Sequence, residues 1–242
     1  RAILKLEPLP PLGTAPDQSL RGGLVHEVLS RFAIAHPSAL PTDTDAVLRA
    51  IATEVLENYT GHPRVAAFWM PRLQRFLTWF AESEPERRRG VTHMIAEQSG
   101  SLVFDAPGGP FTLTARADRI DDGAEGLIIT DYKTGVIPNA KAVASNRSPQ
   151  LPLEADIALG PSGFPGVAGR PVTALRYIRA SGGEPPGEDK TVAAGDIAAL
   201  AKAASDGVLS LVRAYDDVAT PYRAVRRPGF RYDYDDYAGL AR

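Results

Sequence analysis

The stretch GLIITDYKTG, residues 126–135, constrains this chain more than any other. It reads as a buried strand that ends in charge. Side chains at i and i+2 share one face of a strand, so Leu127, Ile129, Asp131 and Lys133 form one row whose last two members are a carboxylate and an ammonium. The preceding stretch FTLTARADRIDD joins it through the polar segment DDGAEG. A turn centred between Ala124 and Glu125 makes the two strands antiparallel and pairs positions whose numbers sum to about 249. Asp118 then faces Asp131. Two facing carboxylates repel unless something cationic lies between them. Lys133 supplies one positive charge. A bound divalent metal would supply the rest, or Arg116, Arg119 and Lys133 neutralise Asp118, Asp121 and Asp131 as a surface ion-pair cluster. Spacing alone leaves both open.

Carboxylate oxygens are hard ligands suited to Mg²⁺, which takes one or two of them together with waters and substrate phosphate oxygens. Phosphodiester hydrolysis uses such a site, with a nearby lysine positioning water or stabilising the growing negative charge. Lysine acting as a neutral base would need its pKa to fall by several units from about 10.4.

Upstream of this pair of strands the hydrophobic period is helical. QSLRGGLVHEVLSRFAIAH, TDAVLRAIATEVLENYTG and PRVAAFWMPRLQRFLTWFAESEPERRR each recur at i, i+3 and i+4, and the period changes to two at VTHMIAEQSGSLVFD. Three strands in an antiparallel meander are expected over residues 91–135. After them PQLPLEADIAL reads as a helix, RPVTALRYIRA as a strand and TVAAGDIAALAKAASDGVLSLVRAYDD as one long helix. The expected class is α/β, a mixed sheet flanked by helices. The proline-rich opening predicts an extended lead-in over residues 1–20, followed by a single domain over 21–242 cut from a longer polypeptide, since the chain opens on Arg1.

There is no cysteine, which excludes disulfides, thiolate zinc sites and cysteine-held iron–sulfur clusters. With 27 basic and 29 acidic residues the bulk charge gives no sign of a nucleic-acid partner, so any phosphate binding must be local. No apolar run reaches the roughly 20 residues of a membrane span. A cytoplasmic protein without membrane contact is the expectation.

TARADRID, GLIITDYKTGVIP and SPQLPLEA together resemble the RecB-like branch of the PD-(D/E)XK nuclease superfamily, most closely the C-terminal nuclease domain of bacterial AddB. The likeness runs from about Gly22 to Ala155. It implies a restriction-endonuclease-like core, Mg²⁺- or Mn²⁺-dependent cleavage of DNA, and trimming of broken duplex ends for recombination. The substrate would be a single strand or a duplex end, recognised without regard to sequence, and the partner an AddA-type helicase subunit. By the same resemblance Asp118, Asp131, His26 and the backbone carbonyl of Tyr132 are metal ligands, Lys133 is the catalytic lysine, and Gln150 holds DNA or the attacking water. Relatives often carry a tyrosine four residues after that glutamine, where this chain has Glu154. Many relatives also clamp the domain with four cysteines around an iron–sulfur cluster, which this chain cannot form.

Glu27 adjoins His26 but points about 100° away around the helix. Glu97, on the strand before the hairpin, is expected in a supporting role near the metal. Arg223, Arg226 and Arg227 in the tail read as solvated surface or as a contact to the rest of the parent protein. Rival readings are a stand-alone Cas4-like or phage-type exonuclease and a catalytically silent DNA-binding or scaffolding domain.

Overall fold

Residues 18–57 and 63–221 are described in this structure, a computed structural model. Three helices come first, α1 (Gln18–Ala35), α2 (Thr44–Glu57) and α3 (Pro63–Arg87). The meander β1 (Val91–Phe104), β2 (Phe111–Gly123) and β3 (Gly126–Lys133) follows. A crossover through α4 (Ala140–Ala144) and α5 (Gln150–Leu159) leads to β4 (Val172–Ala180), β5 (Gly187–Ala194) and α6 (Ile197–Asp216). The five strands lie in sequence order, and only β3 and β4 run parallel. A parallel pair needs a crossover long enough to return the chain to the same edge, and α4 and α5 provide it.

The sheet is covered on both faces. Leu127, Ile129, Ile120 and Tyr177 pack with Leu151, Ile157 and Ala201 in one core, while Tyr132 and Ile178 pack with Leu29, Phe32, Phe76 and Phe80 in the other. This explains why β3 is apolar at consecutive positions: both of its faces are buried. The mixed sheet with flanking helices is the architecture expected.

The hairpin register also agrees with the arithmetic of the sequence. Arg119 pairs with Thr130, Ile120 with Ile129 and Asp122 with Leu127, each pair summing to 249. A two-residue turn, Ala124 and Glu125, closes it between Gly123 and Gly126. Gly126 has φ +134°, and a Cβ there would lie 2.5 Å from the Pro171 carbonyl oxygen, so no other residue fits. The ladder stops at Arg119 and Thr130, one pair short of Asp118 and Asp131, and the strands part there.

One expected element is wrong. TVAA, residues 191–194, belongs to β5 and not to the start of the long helix. Gly195, at φ +90°, breaks the chain, and Asp196 starts α6 by accepting a hydrogen bond from the Ala199 N–H at 3.1 Å. Helix α1 begins at Gln18, so the last three residues of the expected lead-in are helical. Residues 1–17 and the tail arginines 223, 226 and 227 lie outside the described residues.

Candidate active site

The parting of β2 and β3 leaves the Tyr132 N–H without a ladder partner. Asp118 Oδ2 accepts it at 2.9 Å, which turns that carboxylate in toward the end of β3. Helix α1 then brings His26 over the same point. Its Nε2 lies 2.9 Å from the Tyr132 carbonyl oxygen and its Nδ1 lies 3.4 Å from Asp118 Oδ1. Glu27 points elsewhere and pairs with Arg31 at 2.6 Å.

Strand β1 contributes Glu97. Ala96 pairs with Arg119 and Gln98 with Ala117, which sets Glu97 level with Asp118, and it adopts the uncommon φ of +52°. One ligand atom each of His26, Glu97 and Asp118 lies within 4.8 Å of the other two. Arg116 Nε holds Glu97 Oε2 from outside at 2.7 Å.

Next to this group stands a hydrogen-bonded chain. Lys133 Nζ donates to Asp131 Oδ1 at 2.9 Å and to Gln150 Oε1 at 3.0 Å, with Asp131 Oδ2 at 2.7 Å. Gln150 Nε2 donates to Asp131 Oδ1 and, at 3.2 Å, to Glu154 Oε1. The ammonium lies 5.8 Å from the centre of the Tyr177 ring, whose face favours a cation. Gln150 and Glu154 meet because residues four apart on a helix share a face.

Titration in this region runs toward neutral acids. Burial and the neighbouring Asp131 push Glu154 up to about 8. Asp131 is raised by burial and by Asp118, against the pull of Lys133 and Gln150. Glu97 is raised as well, chiefly by burial. For His26, burial opposes the charge, but the hydrogen bond and charge of Asp118 and the Tyr132 carbonyl raise its pKa overall. A neutral imidazole donating to Tyr132 would turn a lone pair toward Asp118. Only a proton or another cation between them relieves that contact.

The donors therefore fit a hard or borderline divalent ion: two carboxylates and an imidazole converge, and the neighbouring carboxylates resist ionising without more positive charge. Of the ligands expected from the sequence, His26 and Asp118 are in the converging group and the Tyr132 carbonyl touches His26. Asp131 stands beside them, engaged by Lys133 and Gln150. Glu97 enters the group itself, a closer place than the supporting role expected of it. The register sum of the β1–β2 pair would have shown this, but it needs the turn at residues 105–110 to be located first.

The ion-pair alternative holds for different residues. Arg119 is fully buried and pairs with Asp121 at 2.7 Å and with Glu84 at 2.9 Å, on the face opposite Lys133. It takes no part in neutralising Asp118 or Asp131.

The chain matches the sequence model of a family described as the PD-(D/E)XK nuclease superfamily over residues 1–223. An uncharacterized protein of Rickettsia bellii is 28% identical over 155 residues, covering 64% of this chain and 19% of that protein. One of Rickettsia typhi is 28% identical over 144 residues, covering 57% and 17%. The chain thus spans less than a fifth of the length of these curated relatives. Among solved structures, the crystal structure of SSO0001 covers 79% of this chain and 88% of its own at 14% identity, with a TM-score of 0.28, too weak a likeness to carry a conclusion.

Proposed function

Because the chain belongs to the PD-(D/E)XK nuclease superfamily, we propose that it is a DNA nuclease domain that hydrolyses phosphodiesters with a bound Mg²⁺ or Mn²⁺. The observation that carries this reading is the convergence of His26, Glu97 and Asp118 within 4.8 Å, beside an acid that is paired with a lysine. His26, Glu97, Asp118 and Asp131 would hold the ion, with the Tyr132 carbonyl as a further oxygen. The ion, when bound, polarises the scissile phosphoryl group and makes water a better nucleophile at neutral pH.

The remaining chemistry falls to this chain's own residues. Lys133 is oriented by Asp131 and Gln150, so its ammonium is pre-set to stabilise charge that develops on the phosphate as the bond breaks. Gln150, the exposed first residue of α5, offers its amide to the strand or to the attacking water. Tyr177 walls the ammonium on the side of the sheet. An ammonium and a bound ion would address the phosphate and not a base edge, which supports cleavage without sequence preference.

We further read the domain as the nuclease part of a helicase–nuclease that processes broken duplex ends for recombination, with an AddA-type helicase subunit as partner. The likeness of its DYKTG and QLPLEA segments to AddB supports this. A motor that delivers the strand would supply affinity that a chain with 27 basic and 29 acidic residues lacks. Among the described residues no helix is long and apolar enough to cross a membrane.

The test is cleavage of a single-stranded and a blunt-ended duplex substrate with Mg²⁺, Mn²⁺ or EDTA, beside Asp131→Ala and Lys133→Ala. The reading predicts metal-dependent cutting that both substitutions abolish. Cutting that persists in EDTA or in either variant would refute it.

A further inference from the structure

Glu154 is 3% exposed and buried among Leu151, Ala155 and Ala158 on α5. Its Oε2 has no hydrogen-bond partner among the described residues. A carboxyl placed so costs stability, which points to a role that offsets the cost in function. Among the described residues it forms no ion pair with an arginine or lysine, and its Oε1 accepts a hydrogen bond from Gln150 Nε2 at 3.2 Å.

That contact fixes which way an exposed side chain points. Lys133 can only donate, so the Gln150 oxygen must face it, and both amide hydrogens are left for acceptors. Asp131 Oδ1 takes one and Glu154 Oε1 takes the other. Either protonation state of Glu154 leaves Oε1 an acceptor. Without it Gln150, exposed at the start of α5, keeps one amide anchor and regains rotamer freedom.

We propose that Glu154 is a positioning residue that clamps the Gln150 amide in a single orientation, so that its oxygen holds the Lys133 ammonium against Asp131 before any substrate or metal arrives. Glu154 does not itself touch the phosphate. The proposal rests on the nuclease reading for its consequence in catalysis, but the clamp itself is a property of the unloaded chain.

The test uses Glu154→Leu and Glu154→Gln. Glutamine keeps an acceptor oxygen in the same place and leucine removes it. The chain has four glutamines, so selective ¹⁵N-glutamine labelling gives a short list of side-chain amide signals. In metal-free protein the Gln150 pair should be shifted and slowly exchanging in wild type. Both features should survive in Glu154→Gln and be lost in Glu154→Leu. In the cleavage assay Glu154→Leu should lower kcat about tenfold with KM for DNA unchanged, and Glu154→Gln should recover most of it, as expected for one hydrogen bond in a charged network.

Gln150 signals that are identical in wild type and Glu154→Leu would overturn the clamp. So would Glu154→Gln being as impaired as Glu154→Leu, since that outcome assigns the effect to charge. If no variant and no wild type cuts DNA, the nuclease reading fails while the amide signals still decide the clamp. If Glu154→Leu does not fold, the comparison of wild type with Glu154→Gln decides it: retained Gln150 signals support the clamp and lost signals overturn it.

Discussion

Two groups of charged side chains adjoin β2 and β3, and Glu84 in one titrates in the opposite direction to Glu154, Asp131 and Glu97 in the other. Under α3, Glu84 accepts from Arg87, Arg88 and Arg119 at 2.7 to 3.0 Å, and Arg119 also holds Asp121. Burial alone would raise Glu84, yet Arg119, Arg87 and Arg88 pull it down to about 2. At the open end of β3, Glu154 is driven up to about 8, and Asp131 and Glu97 are raised too. Both groups are partly or wholly buried, so burial is not what separates them. The difference is compensation: the first gathers enough arginine around Glu84 to keep it ionised, and the second gathers more carboxylate than Lys133, Arg116 and His26 can offset. One group needs nothing further to be a scaffold. The other, on the proposed reading, is offset by a bound cation.

The largest expected effect comes from breaking the compensated side. Arg119→Ala leaves Glu84 and Asp121 buried without their shared partner and should cost about 3 to 5 kcal/mol in urea denaturation. A loss below about 1 kcal/mol would mean that the cluster is less closed than it looks. On the other side the same experiment has the reverse sign. Asp131→Asn should abolish cleavage yet leave the metal-free chain as stable as wild type or more so, because it removes a buried carboxylate whose ionisation the charge of Asp118 opposes. A marked destabilisation would show that Asp131 is structural.

The pH dependence of stability should split the groups in the same way. Glu84, depressed from 4.5 to about 2, contributes stability that is complete above its unfolded value and is lost as pH falls through about 2. Glu154, raised from 4.5 to about 8, keeps its proton in the folded chain, so metal-free stability falls as pH rises between those values. Glu154→Gln should therefore gain on the order of 3 to 4 kcal/mol over wild type at pH 8 relative to pH 5. Equal gains at both pH values would contradict the raised titration.

The smallest effect belongs to the rim. Arg116 is 64% exposed in its side chain, and Arg116→Ala should change stability by less than about 1 kcal/mol. By freeing Glu97 of its outside partner, it should leave metal affinity unchanged or stronger. Weaker metal binding in that variant would place Arg116 inside the site.

The two groups were not equally legible in the sequence. Asp118, Asp131 and Lys133 stood out most, because a tight turn fixes the register of β2 on β3, although that ladder ends one pair short of Asp118 and Asp131. His26 and Gln150 came only from resemblance, since no local pattern places a helix side chain over a strand end. Arg119 was read as a salt-bridging residue, but nothing local shows that it is buried: its partner Glu84 is 35 residues away on α3 and meets it only when that helix covers the sheet. Glu97 needed a second register through the β1–β2 turn. The β5 segment TVAA was hidden by composition, because alanine suits a helix and only Gly195 and the pairing with β4 decide against it.

The claim that the acidic group awaits a cation is tested most directly by calorimetric titration of Mn²⁺ into wild type, Asp118→Asn and Arg119→Ala. Binding to wild type that Asp118→Asn loses, and that any folded fraction of Arg119→Ala retains, is the predicted result. No heat of binding in wild type, or equal binding in Asp118→Asn, would contradict it.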